Sequence, residues 1–303
     1  MVFLSRILQG IATLWLSATV AFFLVHASGD PAVQILGDSA TPEALDAVRA
    51  NLGLDRPLPV QYVESVGRWV RGDFGDSLRF GQSNLSMIGD RIGATALLTG
   101  TALFLAALIG IPLGMLAALH AGRLIDRVTS GIAVLGQSIP VYWLGLVMVL
   151  VFAVRLGWFP VGQFTSLWSL VLPAMALATL PLAQIARITR ASMMTSLNAP
   201  YVVASRARGL SPRSVLVNHA LRNSSLAIVT VVGLQAGLLL AGAVTVEAVF
   251  AWPGVGTLAI QAVQARDLPL VETLVICGAS AFVVINSGVD LLCAWIDPRI
   301  RRS

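Results

Sequence analysis

GATALLTGTALFLAALIGIPLGMLAAL, residues 93–119, runs for 27 residues without a charge. About 20 apolar residues cross the hydrocarbon layer of a bilayer as an α-helix, so this stretch is longer than a buried core helix needs. The rest of the chain agrees. Its 303 residues are 56% hydrophobic and 12% charged, where a soluble domain carries about 25% charged residues. That composition excludes a soluble globular domain with a polar rind. Working outward, the hydropathy predicts six spans: 8–28, 93–119, 129–154, 168–187, 224–246 and 270–293. The first follows Arg6, and a secretory leader cut near Val25-His26-Ala27 is the alternative. Its apolar region exceeds a signal core, which favours an uncleaved anchor. The expected fold class is all-α: a polytopic membrane protein with six transmembrane helices. Residues 1–28 would hold the N-terminus and first helix, 29–92 a small outside helical subdomain, and 93–303 the transmembrane domain.

Arginine placement predicts the orientation. With both termini inside, the inner segments hold Arg6, Arg123, Arg127, Arg187, Arg190, Arg206, Arg208, Arg213, Arg222, Arg299, Arg301 and Arg302 against only Asp126 and Asp297. Segment 29–92 carries six arginines against nine acids. The positive-inside rule therefore puts both termini and the 188–223 loop in the cytoplasm. The net charge of +5 conceals this division. Because the basic residues flank apolar spans and form no continuous stripe, they point to topology and not to nucleic acid.

Lysine is absent. A phosphate-binding Gly-x-x-x-x-Gly-Lys-Ser/Thr loop needs its lysine, and Schiff-base chemistry needs one too. No catalytic residue, cofactor site or metal site is therefore assigned to this chain, and any ATP that drives it must be hydrolysed elsewhere. Cys277 and Cys293 lie 16 residues apart in one expected helix, roughly 24 Å along its axis, too far to bridge. His26, His120 and His219 are scattered without metal-ligand spacing.

Between two apolar spans sits YVVASRARGLSPRSVLVNHALRN, residues 201–223, basic and free of acids. Asn198 reads as a cap, Pro200 as a first-turn proline, and Gly209 as a left-handed stop. Ser211-Pro212 reads as a second cap and first turn, so a second helix is expected to about Leu221. The pattern predicts two short helices joined at a glycine, forming a knob over 198–223. The simpler alternative is an ordinary positive-inside loop.

This loop resembles the Glu-Ala-Ala loop of permease subunits in ATP-binding cassette importers. Val203-Ala204-Ser205 stands where that motif has Glu-Ala-Ala, Gly209 stands at its glycine, and His219-Ala220-Leu221-Arg222 stands where many members have Ile-x-Leu-Pro. The missing Glu and Pro are departures that the peptide and nickel importer subfamily shares. Other pieces are similar to the same subfamily: Gly29-Asp30-Pro31, Leu52-Gly-Leu-Asp-Arg-Pro57 with Gln61-Tyr62, and Gly72-Asp-Phe-Gly-Asp-Ser77. Ser138-Ile-Pro140, Leu172-Pro173-Ala174, Ala186-Arg-Ile-Thr-Arg190, Trp252-Pro-Gly-Val-Gly256, Arg266-Asp-Leu-Pro269 and Asp297-Pro-Arg-Ile-Arg301 follow in order. The resemblance implies a multi-pass permease of the bacterial inner membrane carrying peptides, with nickel or a metal chelate as the alternative cargo. It implies a second related permease, usually non-identical, two cytoplasmic ATPase subunits holding ATP and Mg, and a periplasmic binding protein. It also implies an ATPase-coupling surface at Tyr201, Ala204, Ser205, Arg206, Arg208, Gly209, Leu210, Arg213, His219 and Arg222.

Within 29–92, Thr41-Pro42-Glu43 reads as a helix cap with an acid near the dipole, and Gly53 as a stop. A second helix is expected over 59–71, with Val60, Val63 and Val70 near one face and Tyr62 and Trp69 beside it. This subdomain either stiffens the first span or contacts a substrate-delivering protein.

A polar cargo must travel between helices, shielded from lipid. Gly100, Gly110, Gly114, Gly136, Gly145, Gly233, Gly237 and Gly242 would permit close helix approach. Gly110 and Gly114 form a Gly-x-x-x-Gly pair around Pro112. The candidate pathway or gate is Gly237, Gly242, Glu247, Trp252, Pro253 and Gly254, since the fifth span follows the knob directly. Glu247 either meets a substrate amine or gate residue, or caps and braces a helix. Asp290 is expected near the inner interface, and Arg266-Asp267 as a solvated pair. An ion-coupled secondary transporter would place ionisable groups mid-membrane, which the charge-free 93–119 run argues against.

Overall fold

The structure, a computed structural model, describes residues 2–27, 31–36, 40–162 and 164–296, without the side chains of 2–7, 31, 34, 35, 51, 52 and 206. Gly29, Asp30, the side chains of Arg6 and Arg206, and the 297–301 motif lie outside the described residues. The helices are α1 (Val2–Ala27), α2 (Pro31–Leu36), α3 (Pro42–Leu52), α4 (Leu58–Val70), α5 (Asn84–Leu119), α6 (Leu124–Ser138), α7 (Val141–Met148), α8 (Val171–Leu197), α9 (Pro200–Ala207), α10 (Pro212–Ser214), α11 (Arg222–Val249), α12 (Val255–Gln264) and α13 (Leu268–Ile296). Wide π-type turns at Val149–Arg155 and Val215–Leu221 extend α7 and join α10 to α11. Five described helices have the length and hydropathy to cross a membrane, or six if α6 and α7 count as one broken span.

That broken span departs from the uninterrupted 129–154 expected from hydropathy. α6 and the helix Val141–Arg155 meet at 97°. Ile139 at the corner is extended (φ −88, ψ 122). The cause is Pro140, whose ring pushes the preceding residue out of the helical region and removes an N–H from the ladder.

The chain forms two compact units. The first comprises Phe3–Gly93 with Thr257–Val283. Here Thr41 caps α3, accepting from Ala44 N at 3.4 Å, and Gly53 closes the helix at φ 68. α4 docks on α1: Thr19 Oγ1 lies 2.7 Å from the Tyr62 hydroxyl, and Gln61 Oε1 is 3.1 Å from His26 Nε2. Phe22 is buried between them, its ring 5.3 Å from Tyr62.

Two motifs of this unit that sit far apart in sequence form one structure. Asp267, expected to be solvated beside Arg266, is 0% exposed. Its carboxylate accepts from the Ser77 hydroxyl, from Leu78 N and Arg79 N at 3.3 Å each, and from Leu270 N at 3.4 Å. It thus caps α13 while receiving the 77–79 turn, which explains its burial: four donors replace the lost water. Nearby, Asn84 Nδ2 donates to Phe74 O at 2.9 Å and to Thr273 Oγ1 at 3.2 Å.

The second unit comprises Ala94–Gly256 and Val284 onward. α8 is its hub. Ala174, Ala176, Ala178, Ala183, Ile185 and Thr189 are buried along it, α5, α7 and α11 contribute to the same core, and α6 packs on α8. A Cβ on Gly110 would lie 2.9 Å from Leu182 O, and one on Gly114 would lie 2.5 Å from Ala186 O and 2.7 Å from Thr189 Cβ. The Gly-x-x-x-Gly pair is therefore a backbone-to-backbone helix contact, which side chains would prevent. Asp126 and Arg190 tie the α5–α6 turn to α8: Nε–Oδ1 is 2.5 Å, Nη2–Oδ2 is 2.8 Å, and Gly122 N donates to Oδ2 at 2.8 Å. Such a forked pair fixes orientation as well as distance.

Replacing Gly114 by Ala should destabilise the purified protein by about 1–3 kcal/mol, because the methyl has no room. Gly100→Ala, whose Cβ meets nothing within 4 Å, should be neutral or slightly stabilising. Thermal melts of both variants in detergent would check the contrast.

Candidate functional site

The 198–223 segment is built from the end of α8. Asn198 is the C-cap of α8 (φ −93, ψ 0), so the chain barely leaves helix before Pro200 opens α9. Gly209 stands at φ +77, the left-handed residue expected there, with Leu210 N returning to Ser205 O at 3.3 Å. Ser211 then caps α10, accepting from Ser214 N at 3.3 Å.

Beyond this point the structure differs from two separate short helices. Pro212–Val249 is one helix of 38 residues. No proline or glycine falls between Arg213 and Val232 to stop it, and the wide turns at Val215–Leu221 absorb the change of pitch. Only α9 is a free-standing short helix.

The inner face of the segment is apolar and packed. Val202 and Val215 are buried. Ala220, with Leu216 and Leu221, meets Met193, Met194 and Leu197 of α8 and Met115 and Ala118 of α5. Ser196 and Ser224 hydroxyls lie 3.0 Å apart, joining the end of α8 to the start of α11.

The outer face carries most of the expected coupling residues: Tyr201, Ala204, Arg208, Gly209, Leu210, Arg213 and Arg222 are exposed. Val203 and Val217 join them as exposed apolar side chains. Ser205 and His219 differ. Ser205 is buried and its hydroxyl donates to Tyr201 O at 2.8 Å, an internal role. His219 is half-buried, and the Arg206 side chain lies outside the described residues.

At the opposite end of α11 the expected gate residues form a closed cluster. Glu247 is 0% exposed. Its carboxylate accepts from Thr95 Oγ1 at 2.7 Å, and Thr95 Oγ1 accepts from Val255 N at 2.8 Å. A Cβ on Gly254 would collide with that carboxylate, and one on Gly256 would come 2.8 Å from Oε2 and 2.6 Å from Val244 Cα. The glycines of Trp252-Pro-Gly-Val-Gly256 therefore exist to let the loop close over the acid. Trp252 is buried, donates from Nε1 to Ala94 O at 2.9 Å, and packs against Phe164 at 4.8 Å. Pro253 is exposed. Glu247 braces a loop in this arrangement.

Gly237 is buried in α11, and a Cβ on Gly242 would sit 3.4 Å from Leu177 Cδ1, in ordinary packing distance of α8. Both glycines face protein. The side of α11 left open is Leu234, Leu238, Ala241 and Thr245. These four recur at helical spacing, a stripe that glycine content did not reveal.

Residues 110–302 match the family described as "Binding-protein-dependent transport system inner membrane component", and residues 1–98 match its N-terminal region. The chain belongs to that family. This permease is 38% identical over 299 residues to the glutathione transport system permease protein GsiC of Escherichia coli, covering 98% of each chain. It is 36% identical over 307 residues, again 98% of each, to a probable peptide ABC transporter permease of Sinorhizobium fredii. A dipeptide transport system permease, DppB of Alkalihalophilus pseudofirmus, is 37% identical over 311 residues, covering 93% of each. Among solved structures, the MetNI methionine ABC transporter in an inward-facing form matches with a TM-score of 0.60. That match has 20% identity and covers 70% of this permease and 97% of that chain. It establishes a shared fold. The permease is thus a multi-pass membrane subunit of a transporter.

Gly254→Ala should lower the melting temperature more than Thr95→Val. The first drives a methyl into a buried carboxylate, whereas the second removes a hydrogen bond to a charged group, about 1.5–3 kcal/mol. Paired melts in detergent would read the order; the reverse order would refute the closed-loop account.

Proposed function

We propose that this permease is the conduit subunit of an ATP-driven importer of peptides. Its motor resides in separate cytoplasmic ATPase subunits seated on the 198–223 surface. The observation that carries this reading is continuity: the exposed Tyr201, Arg208, Leu210 and Arg213 face belongs to a segment rooted in α5 and α8. From that segment Pro212–Val249 runs unbroken to Glu247. At 1.5 Å per residue the 38 residues span about 57 Å, long enough to reach across the bilayer. A displacement of the loop would therefore be delivered along a rigid rod to the Trp252 loop. Peptide cargo is supported by the peptide, dipeptide and glutathione permeases that the chain resembles along nearly its whole length.

In this reading a second, non-identical permease completes the conduit, and the Leu234, Leu238, Ala241 and Thr245 stripe of α11 faces the shared path. Both termini and the basic loop lie in the cytoplasm, following the arginine distribution. A periplasmic binding protein delivers the cargo. ATP and Mg are held by the ATPases, because a chain without lysine has no phosphate-binding loop. Closure of the ATPases would move α9 and the foot of α11 together and open the path outward. The Asp126–Arg190 pair would carry the α5–α6 turn along with α8.

A Gly209→Val variant tests the coupling. No atom lies within 4 Å of a Cβ there, so the substitution acts through the left-handed backbone alone, at about 1–2 kcal/mol. It should leave the assembled complex intact while ATP turnover no longer drives uptake. Wild-type uptake at equal abundance would refute the coupling role. Orientation is checked by labelling Arg208→Cys with a membrane-impermeant thiol reagent, which should react only from the cytoplasmic face. Mass spectrometry of ligand captured with the co-purified complex should find peptides; nickel or a metal chelate would overturn the cargo assignment alone.

A further inference from the structure

The geometry points to α4 as a helix lying in the membrane surface, its outer sector immersed in acyl chains; we propose this as its role. α4 and the span it docks on both belong to the Phe3–Gly93 unit, and this role needs neither peptide cargo nor ATPase docking. α4 has three sectors. Tyr62, Ser65 and Trp69 face the protein, and Ser65 is buried. Glu64 and Arg68 form a charged strip, with Glu64 paired to Arg56. The remaining sector is apolar and uncovered: Val60, Val63 and Val70 are 42%, 67% and 83% exposed. In water such a valine face on a small subdomain would be costly, at about 25 cal/mol per Å² of apolar surface.

Depth decides the occupant. α4 is fastened to the last two turns of the α1 span, through His26 to Gln61 and Phe22 to Tyr62, and the Tyr62 hydroxyl reaches Thr19. Thr19 lies eight residues before Ala27, about 12 Å inside the end of that span. A helix anchored there sits at the depth of about 5–10 Å that interfacial amphipathic helices occupy. α1 exposes apolar side chains of its own beside α4. Phe23, on the open side of α1, stacks on Tyr62 at 6.0 Å, and the open side of α1 includes Leu16, Val20 and Leu24. The Glu64–Arg68 strip then lies where charged groups meet headgroups. A lipid surface fits all three sectors. A delivering protein would be left the polar α3 and the 72–83 turns.

The test uses the full chain with its co-purified subunits in vesicles of phosphatidylethanolamine and phosphatidylglycerol. In a Cys277→Ala, Cys293→Ala background, single cysteines Val63→Cys, Val70→Cys and, as an aqueous control, Glu43→Cys receive a fluorophore. Fluorescence at 63 and 70 should be quenched at least about twofold more by lipids with shallow acyl spin labels than by a water-soluble quencher. Position 43 should show the opposite. Stronger aqueous quenching at 63 and 70 would overturn the proposal. So would protection from both quenchers that is relieved on removing the binding protein or another subunit. The unaltered chain gives a second measurement. A photoactivatable lipid should cross-link to the tryptic peptide ending at Arg68 or to Trp69-Val70-Arg71, and modification confined to peptides outside α4 would refute the assignment.

Discussion

Close approach of α8 to its neighbours is the contact on which the second unit depends. Inside a bilayer the hydrophobic effect cannot drive helices together, because lipid tails are as apolar as leucine. What remains is van der Waals contact, and it grows as backbones approach. α8 meets this demand with Ala174, Ala176, Ala178, Ala183 and Ala186, while α5 presents Gly110 and Gly114 to it and α11 presents Gly242. Two-thirds of the most apolar window of α8 is buried, against 22–39% for the other four long helices. α5 and α11 take their places by packing on it.

Polar groups then act as local fasteners at the ends of these helices. Asp126 joins the start of α6 to α8 through Arg190, Glu247 joins the end of α11 to α5 through Thr95, and Asp267 joins the start of α13 to the 77–79 turn. Asp126 accepts a forked cation and Asp267 several donors, which is what makes burying a carboxylate tolerable, and Glu247 accepts from Thr95. The glycines around Glu247 show the steric side of the same solution. A loop that covers a carboxylate must come within a methyl group's width of it.

Much of the architecture was legible in the residues, and particular positions explain the remainder. Long charge-free runs identify helices, because lipid leaves no other way to satisfy the backbone. The caps at Thr41, Gly53, Gly209 and Ser211 are local devices, so local reading found them. Hydropathy could not see the 97° corner at Ile139–Pro140, since both residues are apolar. It also could not separate the end of the loop from the start of α11, because leaving the membrane changes polarity without breaking a helix. Asp267 and Glu247 were misleading or ambiguous for one reason: their partners lie 188–190 and 152 residues away. The exposed face of the 198–223 loop was readable from its glycine and arginines. Ser205, which turns inward, shows that a motif position need not be a contact.

The wide turns at Val215–Leu221 govern rotational phase. An α-helix advances 3.6 residues per turn, and π-type turns hold more. Between the foot of the rod at Pro212 and the Leu234 stripe, residue number and not side-chain chemistry decides which azimuth the stripe points along. Losing one residue there would let the segment wind as ordinary α-helix. Everything beyond would then keep nearly its azimuth, because the wide turns take up one extra residue, whereas winding all seven as ordinary α-helix would swing the stripe by about 100°. Length within these seven residues is therefore information in its own right, and the spacing is as much a part of the machine as the amino acids that fill it.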